Sequence, residues 1–258
     1  MNVPAETDGL VGPDDPIPIE WVNRDSKSPI LLLCEHAGQA IPSRLNGLGL
    51  PDGAIDLHIG WDIGAERLAV AIAEKLNAPL ILQRYSRLVL DCNRPLSSES
   101  SIPEVSDTVV VPGNQLLEDE QRHQRAHLIF DPLNDAIEEG FANARRRAAF
   151  SIHTFTRQLQ NSPKRKWDAG VLCRNDLSTA QTILRCISRA DPTLAVAINK
   201  PYQIEEDGDW FVPHHAEPRG VHHSLIEVCN DQLLKGELIT KWADMLVGAF
   251  QIVLEENS

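Results

Sequence analysis

Ile30-Leu31-Leu32-Leu33-Cys34-Glu35-His36-Ala37-Gly38-Gln39-Ala40-Ile41-Pro42 is the stretch whose reading decides the architecture. Ile30 to Cys34 carries no charged or amide side chain, the mark of a strand buried on both faces. The run stops at a Glu-His pair, an Ala-Gly step and a proline, which cannot donate to a ladder. Open α/β sheets form their ligand crevices at the carboxyl ends of strands, so a carboxylate and an imidazole there are candidate chemistry. The plainer alternative is a polar turn with His36 hydrogen-bonded in place. Three later strand-like runs end in a similar way, at the Asp91-Cys92-Asn93-Arg94 cluster, at His153 and at Glu227.

Outward from this stretch, residues 56–62 lead into a helix whose Leu68, Ala69, Ile72, Ala73 and Leu76 recur at a 3.6-residue period. Asp62 stands where an N-cap would. Residues 79–83 and 88–90 read as strands. Residues 96–114, rich in Ser and Pro, read as a long surface loop of the kind that serves as a lid. A helical region over about 115–147 is expected to break at Asp131-Pro132. Residues 148–152 rise as a strand into His153. Strands over 168–173 and 194–198 bracket a helix over 179–189, a strand over 221–228 carries Glu227, and a helix over 233–254 closes the chain. Strands alternating with helices predict an α/β fold, a mixed, mostly parallel central sheet flanked by helices on both sides. Residues 1–258 are expected to form one domain, with 1–29 a loose N-terminal arm that adds an edge strand over 17–22.

Composition narrows the partners. The chain has 258 residues and a formal net charge of −13, which argues against nucleic acid or an anionic membrane as partner. A small-molecule anionic substrate would need local arginines that overcome a repulsive field. The five cysteines, Cys34, Cys92, Cys173, Cys186 and Cys229, are odd in number and widely spaced, which speaks against a disulfide framework or a zinc knuckle. No signal peptide and no bilayer-spanning run is read, so a cytoplasmic protein is expected.

Two constellations carry chemistry. His36, Asp62, His153 and Glu227 stand at strand ends or a helix start, and two imidazoles with one carboxylate are a standard catalytic zinc set with a fourth position open to water. The further carboxylate of the set would then be the general base toward that water. For each residue the competing reading is a satisfied polar group at a strand end. Arg87 with Asp91, Asn93 and Arg94 forms the second set, because a guanidinium fork matches a carboxylate; its competing reading is a surface ion pair. Other histidines read as decoys. His123 and His127 are spaced four apart but lack a Glu after the first. The pairs His214-His215 and His222-His223 each offer at most one ligand to a given site, since strand neighbours point to opposite faces. One member of the His222-His223 pair is a candidate for lining the pocket. Cys34 reads as a buried thiol, and Lys164-Arg165-Lys166 as a solvated loop.

The segments Cys34 to Pro42, Tyr85-Ser86-Arg87-Leu88-Val89-Leu90-Asp91-Cys92-Asn93-Arg94, His153-Thr154-Phe155 and Ile226-Glu227, in that order, resemble the N-formylglutamate amidohydrolase family over about residues 30–250. The resemblance implies a zinc-carboxypeptidase, phosphorylase/hydrolase-like fold and Zn2+ as cofactor. It implies that His153 is the last zinc ligand, that Glu227 is the catalytic carboxylate, and that Asn93 and Arg94 grip a substrate carboxylate. The activity implied is cleavage of N-formylglutamate to formate and glutamate. A related zinc amidase or carboxypeptidase, or a non-catalytic carboxylate-binding protein, is the alternative. Carboxypeptidases place a Glu three residues after their first His, where this chain has Gln39, so Asp62 is expected to supply the missing carboxylate ligand. Relatives often carry a His two positions after Pro132, where this chain has Asn134.

Overall fold

The structure, a computed structural model, describes residues 9–205 and 208–256. β2 (Ile30–Cys34), every residue buried, runs parallel between β3 (Leu80–Gln83) and β6 (Ala148–Phe155). β9 (His222–Cys229) continues the sheet parallel to β6. β1 (Ile19–Val22) pairs antiparallel with β3, β7 (Ala169–Leu172) pairs antiparallel with β9, and β8 (Val196–Ile198) lies parallel to β7. The seven-stranded order is β1-β3-β2-β6-β9-β7-β8, the mixed, mostly parallel sheet that the alternation of elements predicts. The chain builds β3 on one side of β2 and later β6 on the other, a reversal of the kind that opens a crevice at strand carboxyl ends.

The period-2 alternation of strand side chains decides what each face carries. Leu32 and Cys34, Phe150 and Ile152, and Ile226 and Val228 share one face. They pack beneath α1 (Ala65–Leu76), α4 (Leu177–Ala190) and α5 (Gly236–Glu256), and Phe150 stacks on Phe250 with ring centroids 3.8 Å apart. Leu31, Leu33, Ala149 and Leu225 share the opposite face with Ile129, Leu133 and Ile137. His153 and Glu227 continue that second face, so the core alternation itself aims them together.

The second face is covered by α2 (Asp119–Arg125), a π-helical turn at Ala126–Phe130 and α3 (Asp131–Ala142). The break expected at Asp131-Pro132 is this π-turn. Proline supplies no N–H to the ladder, and the wider turn absorbs the mismatch without ending the helix.

Three expectations are corrected. Residues 88–90 are not a strand. The Leu88 carbonyl accepts from Asn114 Nδ2 at 2.8 Å and the Val89 carbonyl from buried Arg125 at 3.0 Å, so side chains take the place of a ladder partner. The 96–114 loop contains a hairpin of β4 (Val105–Ser106) and β5 (Val109–Val110). Its turn residues, Asp107 and Thr108, both have positive φ, as a two-residue type I′ connection requires. Residues 1–8 of the arm lie outside the described residues, and the rest of the arm is tied down rather than loose. The Asp15 carboxylate accepts from the backbone N–H of Gly12 (2.7 Å) and Ser43 (2.9 Å), and the Tyr85 hydroxyl donates to the Pro16 carbonyl at 2.6 Å. No helix among the described residues is long and apolar enough to cross a membrane.

Candidate metal centre and active site

At the carboxyl ends of β2 and β6, His36 and His153 meet edge to face with ring centroids 4.8 Å apart. The Nδ1 atoms of both rings face Oδ2 of Asp62, at 3.5 Å from His36 and 2.9 Å from His153. Asp62 does not cap α1, whose N-cap is Gly64. Its amide donates to the His36 carbonyl at 3.0 Å and its Oδ2 accepts the Thr154 amide at 3.2 Å, which fixes the carboxylate between the two strand ends. All three residues are 3% exposed. Gln39 is exposed and belongs to no part of this cluster.

The outer nitrogen of each ring meets a second carboxylate. His36 Nε2 lies 2.8 Å from Asp91 Oδ1, and His153 Nε2 lies 3.2 Å from Glu35 Oε2, which also accepts from Ser151 Oγ at 2.5 Å. A carboxylate behind each imidazole is the arrangement that orients metal-bound histidines. One ligand atom from each of His36, Asp62 and His153 lies within 4.8 Å of the others, and the buried His36 Nδ1 has no hydrogen-bond partner. Two nitrogens, one of them left without a hydrogen-bond partner, and a carboxylate oxygen fit a divalent cation.

The charges respond to this crowding. Burial and Arg87 push the His36 imidazole down, but Asp91 and Asp62 outweigh them and its pKa is raised. Burial also works against charged His153, yet Glu35 and Asp62 hold its pKa well above the usual histidine value. A cation at the Nδ1 atoms would take the place of a proton beside Asp62, while the Nε2–H of each ring still faces Asp91 or Glu35.

Glu227 enters from β9. Its backbone pairs directly with His153, so the two side chains lie next to each other on one sheet face. Burial pushes its carboxyl up to about 7; Asp62 adds to the rise while His153, Arg87 and His36 oppose it. Its Oε2 is buried without a hydrogen-bond partner. A carboxyl so placed is built to exchange a proton near neutral pH.

These side chains line one cavity of about 630 Å³, together with Arg87, Asp91, Asn93 and Arg94. Arg87 pairs with Asp91 Oδ2 at 2.6 Å and Asp62 Oδ1 at 3.3 Å. Asp91 spends its other oxygen on His36 and on the Asn93 amide (3.1 Å), so it acts as a brace behind the imidazole. The β4–β5 hairpin closes one side, where Asp107 lies 3.1 Å from His58 Nε2.

Two contributors are not singled out by the sequence reading, Asp107 on the hairpin and Asp209, which meets Asn93 and Arg94; Glu35, noted there only as part of the strand-end pair, stands behind His153. Glu35 carried a signal, being a charged residue that directly continues a fully apolar strand. The decoys stay away from the cavity. His127 is exposed and pairs with Asp131, His214 stacks on Trp210, and His215 meets Asn134 Oδ1 at 2.6 Å. His222 and His223 sit at the amino end of β9, against Thr179 and the Val221 carbonyl, so neither lines the pocket as was expected of one of them. The Cys34 thiol is fully buried, and that burial raises its pKa well above the ordinary value.

No curated protein sequence matches the chain. Among solved structures, a gene product of Agrobacterium tumefaciens is similar, with 31% identity, a TM-score of 0.90, and coverage of 96% of this chain and 99% of that one. An N-formylglutamate amidohydrolase from Ralstonia eutropha shares the fold at 15% identity and a TM-score of 0.66, covering 93% of this chain and 98% of that one. The sequence model of N-formylglutamate amidohydrolase matches residues 28–234, a span that contains both imidazoles, Asp62, the Arg87–Arg94 cluster and Glu227, and the chain belongs to that family.

Proposed function

We propose that this chain is a metal-dependent amidohydrolase, working as one domain, that cleaves a small N-acyl amino acid, with N-formylglutamate yielding formate and glutamate. The observation that carries the reading is Asp62 Oδ2 facing two imidazole Nδ1 atoms while Glu227 stands beside His153 on the adjoining strand.

His36, Asp62 and His153 would hold the ion, for which we propose zinc from the mixed nitrogen and oxygen donors. When bound there, it polarises the amide carbonyl and makes water acidic enough to attack at neutral pH. Glu227 takes a proton from the attacking water and passes it to the departing nitrogen, so the C–N bond breaks to a carboxylate and a free amine. Arg87, held in place by Asp62 and Asp91, directs its charge at the oxygen on which negative charge develops. Asp91 braces His36, and Asn93 with Arg94 forms the substrate end of the cavity wall.

Metal analysis alongside a formate-release assay tests this reading. The expected result is about one equivalent of bound metal and chelator-sensitive formate release; equal turnover by His153→Ala and wild type would overturn it. Related acyl amino acids and short peptides in the same assay separate N-formylglutamate from its competitors, and ligand binding without turnover would point to a non-catalytic protein.

A further inference from the structure

N-formylglutamate carries two carboxylates, and the cavity proposed to receive it is itself acidic. Its wall holds Asp62, Asp91, Asp107, Glu205, Asp209 and Glu227, in a chain of net charge −13. Each substrate carboxylate therefore calls for a cationic partner close by. The basic side chains that line the cavity are His36, His58, Arg87, Arg94 and His153. His36 and His153 belong to the candidate metal centre. Arg87 pairs with Asp62 and Asp91 and is assigned to the reacting oxygen. Arg94 stands with Asn93 at the substrate end of the wall, which the family resemblance gives to one carboxylate. His58 is left over, and nothing in the proposed hydrolysis uses it.

His58 sits in a tight turn ahead of α1. The Gly60 amide donates to the Leu57 carbonyl at 2.9 Å, the Gly60 carbonyl accepts from Ser86 Oγ at 2.7 Å, and a Cβ on Gly60 would lie 2.3 Å from the Ile55 carbonyl oxygen. The backbone that carries the ring is thus held firmly. His58 Nε2 lies 3.1 Å from Asp107 Oδ2 on the β4–β5 hairpin. Asp107 is itself anchored, since its two oxygens accept the Gln160 amide at 3.0 and 3.2 Å, and the adjoining Thr108 Oγ1 donates to Gln160 Oε1 at 2.8 Å. The clamped hairpin tip keeps a carboxylate behind the ring, as Asp91 stands behind His36. His58 Nδ1, by contrast, has no hydrogen-bond partner among the described residues. An imidazole backed by a carboxylate on one nitrogen and open on the other becomes an anion receptor once it is protonated.

We infer that His58 receives the substrate's side-chain carboxylate through Nδ1, with Asp107 holding the ring, while Asn93 and Arg94 take the α-carboxylate. The assignment rests on the amidohydrolase reading for the identity of the substrate. Nε2 spends its proton on Asp107, so Nδ1 donates only when the ring carries a second proton. In the free protein burial pushes the His58 pKa down, Asp107 pulls it up, and Arg165 and Arg87 push it down; the net result is a lowered value. An incoming carboxylate adds a second negative neighbour, which draws a proton onto the ring. Binding of the dicarboxylate therefore takes up a proton, and affinity falls as the pH rises.

The metal-loaded protein is assayed with N-formylglutamate and with N-formylglutamine, which differs only in an uncharged amide at the side-chain end. His58→Gln is expected to raise KM for N-formylglutamate by about tenfold or more, with kcat within about threefold. KM for N-formylglutamine stays put, and its turnover shows that the variant is folded. In wild type, KM for the acid climbs with pH more steeply than KM for the amide between about pH 6.5 and 8, and the difference vanishes in His58→Gln. Asp107→Asn removes the charge behind the ring, so KM for the acid begins its climb at lower pH; an unshifted profile overturns the part given to Asp107.

Equal KM changes for acid and amide in His58→Gln would make His58 a wall residue and overturn the inference, as would parallel pH profiles in wild type. Should neither compound release formate, calorimetry of glutarate and of glutaramate, its monoamide, still decides. A preference for glutarate that His58→Gln abolishes leaves the assignment standing without the reaction. A preference that is absent, or that survives His58→Gln, overturns it.

Discussion

Asp62 Oδ2 lies 2.9 Å from His153 Nδ1 although 91 residues separate the two in the chain. The carboxylate comes from neither strand. It hangs on the turn before α1, tied through its own amide to the His36 carbonyl, and reaches across to β6. The cluster is thus braced by backbone on one side and by side chain on the other.

Removing the bridging carboxylate and removing the outer brace are expected to differ in degree. Asp62→Ala deletes a proposed ligand and should abolish bound metal and formate release together. Asp91→Asn keeps the three proposed ligands but replaces the charged partner of His36 Nε2, so metal affinity should fall by about 10–100-fold. Competition with a chromophoric chelator measures both. An Asp91→Asn protein that binds metal as tightly as wild type would exclude the bracing role.

Glu227 stands beside His153 by strand register, yet its carboxylate is assigned to proton transfer and not to holding the ion. Glu227→Gln should therefore retain its metal while kcat falls by about 10²–10⁴-fold. Metal content measured on the same preparation that is assayed decides between the roles, since loss of metal would make Glu227 a ligand.

Much of this was legible because it follows from period and position. A fully apolar strand stopping at Glu35-His36 announced both the sheet and a polar cluster at its carboxyl end, and the replacement of a Glu by Gln39 pointed to Asp62, which lies in that cluster. What stayed hidden depended on contacts that sequence spacing does not encode. Residues 88–90 have the composition of a strand, but Asn114 and Arg125, distant in the chain, take their carbonyls. The β4–β5 turn is Asp-Thr, without the glycine that usually signals a positive-φ hairpin. Arg165 looked like part of a solvated basic run, because only folding lays it over Phe155 and Tyr202.

Gly38, two residues past His36, marks a close approach of backbones. Its amide donates to the Gln83 carbonyl at 2.9 Å, and a Cβ there would lie 1.9 Å from the Arg84 carbonyl oxygen. Gly38→Ala should therefore push the His36 turn off β3, costing about 1–3 kcal/mol of stability and weakening the metal site with it. Gly236→Ala is the control, because nothing lies within 4 Å of that Cβ position and it opens α5. Urea unfolding of the two variants should show loss only for Gly38→Ala.

The last prediction concerns pH and a histidine away from the cavity. His215 faces Asn134 through Nε2 and Glu138 through Nδ1 at 3.3 Å, with Arg219 donating to its carbonyl and His214 next to it in the chain. Burial, and then Arg219, push its pKa down to about 4, against the opposing pull of Glu138. The unfolded chain takes up this proton near the usual histidine value, whereas the folded chain resists until far lower pH. Stability from this residue is accordingly complete above about pH 6.5 and is lost as the pH falls toward 4, by on the order of 2–3 kcal/mol. His215→Gln keeps a donor toward Asn134 and removes the titration. Urea unfolding at pH 7 and pH 4.5 should show wild type losing more stability than the variant on acidification; equal losses would mean that His215 takes up its proton at the same pH in the folded and the unfolded chain.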